Sequence, residues 1–361
     1  MAVESGITEM KAAILRECNK PLSIESAPIP SMTDDDVLIK VKAVGICQSD
    51  VRMWHGHEID KLPLIPGHEC SGVIERVGTK VKNIKPGDRV VMDYRITCGN
   101  CYYCSSGRSN LCDSAIDIGA NVNGGYAEYV AIPQRQSFPL PVEISFEEGA
   151  IIGCAVVTAY HATRRVAELR SGDTAAIIGV GGVGYHILKF ARAMGASRII
   201  AVDTDQRKLE RAAKLGAEII NPGHESVDKL IRDRTNSEGV DVAFEAIGFP
   251  RTVEAAIRSV ARDGKVVLVG ICSEKIEITP WDDLMFSPKI RNTGKEIQIR
   301  PSIDHLRTDL TEVISMVRDR RVDLTDSVTH KITLDEVNRG LEMMDKKIGD
   351  PIRIVMQPNR S

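Results

Sequence analysis

Residues 174–203 read as strand, glycine turn, helix, strand and acid, an order that a parallel α/β sheet accommodates and few other folds can. Thr174-Ala175-Ala176-Ile177-Ile178 is a short apolar strand leading into Gly179-Val180-Gly181-Gly182-Val183-Gly184. Beyond it Val183, Ile187, Phe190, Ala191 and Met194 recur at helical spacing, which gives the next segment one apolar face. Within G-x-G-x-x-G, Gly179 and Gly181 permit a tight turn and a close backbone approach, and Gly184 lets the helix lie close against the sheet. The helix N-terminus then offers N–H groups to a pyrophosphate. Ile199-Ile200-Ala201-Val202 forms the next strand, and Asp203 follows Gly184 by about 20 residues, the spacing at which an acid reaches adenosine ribose hydroxyls. The pattern predicts a dinucleotide site; an ordinary glycine-rich turn is the plain alternative.

The 361 residues are 43% hydrophobic and 27% charged, enough for two domains with full cores and too apolar for a disordered chain. Lysine plus arginine, 47, nearly balances aspartate plus glutamate, 50, so no basic excess points to nucleic acid or to an anionic membrane. The expected partners are small molecules. The longest apolar run, 149–160, is too short to span a bilayer, and Met1-Ala2-Val3-Glu4 lacks the basic start and apolar core of a signal peptide, so a soluble cytoplasmic protein is expected. Nine cysteines, an odd total with four in one cluster, fit a disulfide framework badly and a metal well.

From residue 10 to 85 short Val- and Ile-rich strands at 11–15, 37–41 and 71–77 alternate with turns marked by proline and glycine, so this half is expected to be β and irregular. After Phe146 the pattern changes. Residues 147–166 read as helical, strands are expected at 218–220, 241–246 and 265–269, and a helix at 250–261 intervenes. Such alternation means a parallel, doubly wound sheet. Past Lys295 one more strand, helices near 309–318 and 334–344 and a closing strand at 352–356 are expected.

Cys98, Cys101, Cys104 and Cys112 read C-x2-C-x2-C-x7-C, four thiolates that could wrap a tetrahedral zinc and close its shell. A closed shell leaves no place for substrate, so this role is structural. A second set is dispersed: Cys47 in Gly45-Ile46-Cys47-Gln48-Ser49-Asp50, His68 and Glu69 after Gly67, and Cys154 in Gly153-Cys154-Ala155-Val156-Val157-Thr158. A lone cysteine is more often a buried small hydrophobe. Two thiolates and an imidazole, however, leave a fourth zinc position open, as a catalytic zinc requires.

These motifs, with Asn123-Gly124-Gly125-Tyr126-Ala127-Glu128-Tyr129, occur in the order found in the zinc-dependent medium-chain alcohol dehydrogenases, and the chain resembles that family from residue 10 to 355. The resemblance implies a GroES-like, β-rich catalytic domain over 1–155 and 302–361, which carries the structural-zinc lobe, and a doubly wound Rossmann NAD-binding domain over 156–301. It implies two zinc ions per chain, one held by Cys47, His68 and Cys154 and one by the four clustered cysteines. Glu69 matches the carboxylate behind the catalytic metal, Asp50 the acid that orients the histidine ligand, and Ser49 the hydroxyl that passes on the substrate proton. Thr158 and Val183 match side chains that press on the nicotinamide, Asp203 and Lys208 the ribose contacts, and Arg353 an arginine that reaches the pyrophosphate. Cys18, Cys70 and Cys272 match no ligand position.

Two departures stand out. Arg52 occupies the position where several relatives carry a proton-relaying histidine, and a guanidinium does not titrate usefully near neutrality. Gln48 is neutral where a basic residue often contacts the pyrophosphate. The expected proton route therefore runs from Ser49 to the cofactor ribose and water, with Arg52 holding ribose or phosphate, and His55 is the competing shuttle. The implied reaction is reversible hydride transfer between an alcohol carbon and NAD. A zinc-free reductase of the same superfamily and a non-catalytic NAD-binding protein are the competing readings, both disfavoured by the intact ligand set. Tyr94, Trp54, Glu58 and Arg300 fall near pocket or cofactor positions, which leaves simple alcohols, polyols, sugar alcohols and hydroxy acids open as substrates. Dimeric members of the family carry a long insertion after the structural-zinc lobe that this chain lacks, so the resemblance implies a homotetramer over a dimer.

Overall fold

In a computed structural model residues 8–57, 59–286 and 294–359 are described. Its contacts divide the chain into one unit of residues up to Val157 together with those from His305 onward, and a second unit, Thr158–Asp304.

In the first unit β1 (Glu9–Ile14) and β2 (Ser23–Pro28) form an antiparallel ribbon. The main sheet is built around β3 (Asp36–Ile46), where Val37, Leu38, Ile39, Val41, Val44 and Ile46 are buried, the near-continuous apolar run of a strand covered on both faces. It pairs antiparallel with β4 (Glu69–Val77), beyond which lies β5 (Arg89–Met92). The two-residue strands β6 (Arg95–Ile96) and β7 (Ile116–Asp117) pair at the base of the four-cysteine segment. Next come β8 (Tyr129–Pro133), which joins β3, and β9 (Ser137–Pro139), which joins β5. Within this otherwise β-rich stretch a helix at Gln48–Trp54 was not expected from the sequence.

The helical run expected at 147–166 starts at Phe146, where Ser145 accepts the Glu148 N–H and Glu148 accepts the Ser145 N–H in a reciprocal cap. Its interior alternates: Phe146–Ile151 and Val157–His161 are α-helical, while Ile152–Val156 and Ala162–Val166 are wider π turns. Such π turns concentrate at functional sites. Cys154 lies in the first.

The second unit holds a six-stranded sheet, every neighbouring pair parallel: β10 (Thr174–Ile178), β11 (Arg198–Val202), β12 (Glu218–Ile220), β13 (Val240–Glu245), β14 (Val260–Leu268) and β15 (Gln298–Pro301). Their spatial order is β12-β11-β10-β13-β14-β15, so the winding reverses between β10 and β13, at the C-terminal edge where such folds bind nucleotides. The expected α/β class with a doubly wound parallel sheet holds. Helices Gly182–Ala193, Gln206–Lys214, Val227–Arg234 and Pro250–Ser259 link the strands.

Back in the first unit, β16 (Val328–Thr333) and β17 (Arg353–Gln357) extend the main sheet to β16-β17-β3-β4-β5-β9, with β17 antiparallel to β3. Ile332, Leu341, Ile354 and Met356 join Val44 and Ile46 in its core. No helix among the described residues is long and apolar enough to cross a membrane.

Candidate active site and the four-cysteine lobe

Sheet register assembles the dispersed set. Gly45 faces Glu69 across the β3–β4 ladder, so Cys47, two residues past Gly45, meets His68, one residue before Glu69, although 20 residues intervene. Cys47 caps the helix Gln48–Trp54, and its N–H donates to Asp50 Oδ2 at 2.8 Å, which fixes the turn. Cys154 arrives from its π turn, and Arg353 from the first position of β17. Ligand atoms of Cys47, His68, Glu69 and Cys154 all lie within 4.8 Å of one another.

His68 is held at both nitrogens. Nδ1 is 3.2 Å from Asp50 Oδ1, and the Ser49 hydroxyl is 3.4 Å from Nε2. Because Asp50 can only accept when ionised, Nδ1 carries the proton in the neutral ring and Nε2 keeps the lone pair a metal needs. The Tyr94 ring packs edge-on against His68 at 5.1 Å.

The buried ionisable groups strongly bias one another. Contact with Cys154 holds the Cys47 thiol well below its ordinary range, helped by His68 and Arg353, while Cys154 is pushed up by the same contact and by burial. Burial pulls the His68 imidazole down, but Asp50 and Cys47 outweigh it and hold the ring well above its ordinary value. Burial pushes Glu69 up to about 7 against the pull of Arg353, whose Nη1 is 3.3 Å from Glu69 Oε1. Glu69 is fully buried, and apart from the Arg353 ion pair neither of its oxygens accepts a hydrogen bond among the described residues. A buried carboxylate beside two sulfurs and an imidazole makes a donor set that suits a metal ion.

The four clustered cysteines also converge, with sulfurs within 4.8 Å of one another. Here the chain's own backbone supplies the polar environment. The Cys98 N–H donates to Cys112 Sγ, the Cys101 N–H to Cys98 Sγ and the Cys104 N–H to Cys101 Sγ, at 3.3 to 3.5 Å. N–H groups of Asn100 and Cys101 lower the Cys98 thiol to about 6, and that of Cys98 lowers Cys112, whereas desolvation raises Cys104 to about 11. N–H groups aimed at sulfur favour thiolates, the form zinc binds.

In the second unit the glycine turn closes as expected. Gly179 has φ +93°, and an added Cβ there would lie 2.4 Å from Ile247. At Gly184 it would lie 1.8 Å from the Gly179 carbonyl, so this glycine lets the helix sit on its own turn as much as on the sheet. Nothing lies within 4 Å of the Cβ position of Gly181, the open side that a pyrophosphate could fill. Asp203 accepts the N–H groups of Val180 and Asp205, both at 3.0 Å, which pins its carboxylate at the end of β11. Thr158, Gly182, Val183 and Lys208 are half-buried, Val183 in the first turn of the helix and Lys208 on the next one.

Residues 33–142 match the alcohol dehydrogenase GroES-like domain, and residues 182–318 match the zinc-binding dehydrogenase domain. The chain is 37% identical over 341 residues to an alcohol dehydrogenase of Geobacillus stearothermophilus, covering 93% of this chain and 96% of that one. The chain belongs to the zinc-dependent medium-chain dehydrogenases. It is also 35% identical to a sorbitol dehydrogenase of Bacillus subtilis (strain 168), over 97% of this chain and 98% of the relative. A solved protein from Sinorhizobium meliloti 1021, bound to NADP, superposes with a TM-score of 0.89 at 29% identity, covering 98% of this chain and 100% of that one. This dehydrogenase is thus an oxidoreductase of a zinc-binding family, with a GroES-like domain and a Rossmann-type sheet.

Several residues of the dehydrogenase named from sequence have partners of their own. His55 is held by Asn19, with Nδ1 at 2.9 Å, and by Asp345, with Nε2 at 3.3 Å. Arg300 donates to the Val166 carbonyl and pairs with Glu168 in the second unit. Trp54 donates its indole N–H to the Lys20 carbonyl, and Glu58 lies outside the described residues. Arg353 is buried against Glu69. Sequence reading missed two neighbours of the site. Tyr126 donates its hydroxyl to Asp50 Oδ2 at 2.9 Å, and its place in the Gly124-Gly125-Tyr126 run was the available signal. The buried His305, 3.3 Å from Asp93, packs against Tyr94, and nothing in the sequence marked it.

Proposed function

We propose that this dehydrogenase reversibly oxidises an alcohol to an aldehyde or ketone with NAD as hydride acceptor, using one zinc ion at Cys47, His68 and Cys154 and a second, structural one in the four-cysteine lobe. The observation that carries this reading is the three-donor set with the Ser49 hydroxyl beside it, 3.4 Å from His68 Nε2. When bound, zinc supplies Lewis-acid polarisation of the substrate oxygen, and the nicotinamide accepts the hydride from the alcohol carbon. The remaining work falls to side chains. Ser49 takes the hydroxyl proton and hands it toward solvent, Asp50 fixes the tautomer and tilt of His68, and Arg52 holds cofactor ribose or phosphate. The ties of His55 to Asn19 and Asp345 support Ser49 over His55 as the route. One alcohol and one NAD⁺ give one carbonyl compound, one NADH and one proton.

Asp203 favours NAD, because a 2′-phosphate would meet its fixed carboxylate. Like charges at about 4 Å repel by roughly 1 to 4 kcal/mol between bulk water and a protein surface, or about one to three decades in preference. Arg207, which could offset this, forms a two-point ion pair with Asp205. A polyol, sugar alcohol or hydroxy acid as substrate is the second reading, favoured by the similarity to a sorbitol dehydrogenase. By the same reading the enzyme is a cytoplasmic homotetramer acting on free small molecules, which light scattering tests. Metal analysis with an NADH absorbance assay over a panel of alcohols, polyols and hydroxy acids tests the rest. Two zinc per chain and NAD-linked turnover of one class are expected. A zinc-free protein with no turnover would overturn the reading, and better use of NADP that Asp203→Gly leaves unchanged would overturn the choice of NAD.

A further inference from the structure

We infer that Tyr126 is a positioning residue for the catalytic metal, acting through Asp50 to hold His68 at the angle where Nε2 meets the ion. The inference rests on the reading that Cys47, His68 and Cys154 are the ligands. Asp50 is buried, and its Oδ2 accepts two donors, the Cys47 N–H at 2.8 Å and the Tyr126 hydroxyl at 2.9 Å. Two donors on one oxygen fix the plane of the carboxylate and leave Oδ1 facing His68 Nδ1 at 3.2 Å. With the backbone donor alone the carboxylate could swing about that bond, and the imidazole it orients would swing with it.

The hydroxyl itself is rigidly delivered. Tyr126 has no exposed surface. Its N–H donates to the Pro66 carbonyl at 2.9 Å, its carbonyl accepts the Ala13 N–H at 2.8 Å, and the neighbouring Gly125 N–H donates to the Gly67 carbonyl at 2.7 Å. Gly67, with φ +96°, lies so close that an added Cβ would be 2.3 Å from the Tyr126 ring. One ring therefore touches the backbone that leads into His68 and bonds the acid behind it. A phenylalanine could fill the same seat and would lack only the bond to Asp50.

The test compares zinc-loaded wild type, Tyr126→Phe, Asp50→Ala and the double variant, by release of zinc to a coloured chelator and by the visible spectrum after cobalt substitution. The phase lost in Cys47→Ser identifies the site. Tyr126→Phe is expected to release that zinc roughly 10- to 100-fold faster and to shift the cobalt bands, as outer partners of metal ligands do when removed. In the Asp50→Ala background the same change should have no further effect, because the tyrosine acts through that acid. Wild-type release by Tyr126→Phe, or equal acceleration in both backgrounds, would overturn the inference. So would a Tyr126→Phe chain that fails to fold while Asp50→Ala folds, since the hydroxyl would then serve the fold and not the metal. If Cys47→Ser retains every phase, the ligand assignment fails instead.

Discussion

The two cysteine clusters of the first unit are assembled in opposite ways. The four-cysteine lobe draws all its sulfurs from fifteen consecutive residues and bonds them with N–H groups of the same segment. The Cys47, His68 and Cys154 set spans more than a hundred residues, and it is surrounded by buried charge: Asp50, Glu69 and Arg353. A local site needs only its own loop to fold. A dispersed site needs the sheet register, the π turn and β17 all in place, and in return it gains side chains that tune the ligands from behind.

Substitutions at the proposed ligands should separate the sites most widely. Cys47→Ser is expected to lower turnover by well over the ~100-fold that outer-shell changes cause, while the melting temperature stays near that of the wild type. Cys104→Ser should do the reverse, leaving turnover at 25 °C and removing one zinc, with a fall in melting temperature on the order of 10 °C, because metal binding is folding energy in a lobe with so little core. Zinc analysis, scanning calorimetry and the NADH assay check both. A Cys47→Ser enzyme that turns over normally, or a Cys104→Ser protein with full zinc and unchanged melting, would dissolve the distinction.

Arg353 sharpens the contrast, since the lobe has no buried ion pair of its kind among the described residues. Arg353→Met should leave Glu69 buried without its cation and destabilise the protein by about 3 to 5 kcal/mol, measured by chemical denaturation. The same denaturation curves should rank two glycines. Gly67→Ala meets both a left-handed backbone, φ +96°, and the Tyr126 ring, whereas Gly107→Ala in the lobe meets a left-handed backbone, φ +76°, with open space around it. The second should lose about 1 to 2 kcal/mol and the first clearly more. Equal losses would mean that the dispersed site is no more tightly interlocked than the lobe.

Strand, turn, helix and acid at 174–203, and the lobe's four thiols, were legible because each is a short stretch whose spacing nearly determines its geometry. The helix Gln48–Trp54 was not, since seven residues give too little apolar periodicity to stand out among strands. The run at 147–166 was read as a single helix. Its two π turns escaped, because one extra residue per turn leaves no mark in composition.

By itself the sequence determined that a doubly wound parallel sheet and a four-cysteine cluster exist, and that Cys47, His68 and Cys154 are a zinc-compatible set once the family resemblance joins them. Tertiary structure alone decided which groups stand behind those ligands. It seats Arg353 on Glu69, turns His55 to Asn19 and Asp345, and aims the Tyr126 hydroxyl at Asp50. The physical reason is reach. Within fifteen residues the chain can hardly avoid bringing its thiols together, but contacts across tens or hundreds of residues depend on tertiary packing and strand register, where a slip of one residue would point Glu69 or Arg353 to the opposite face.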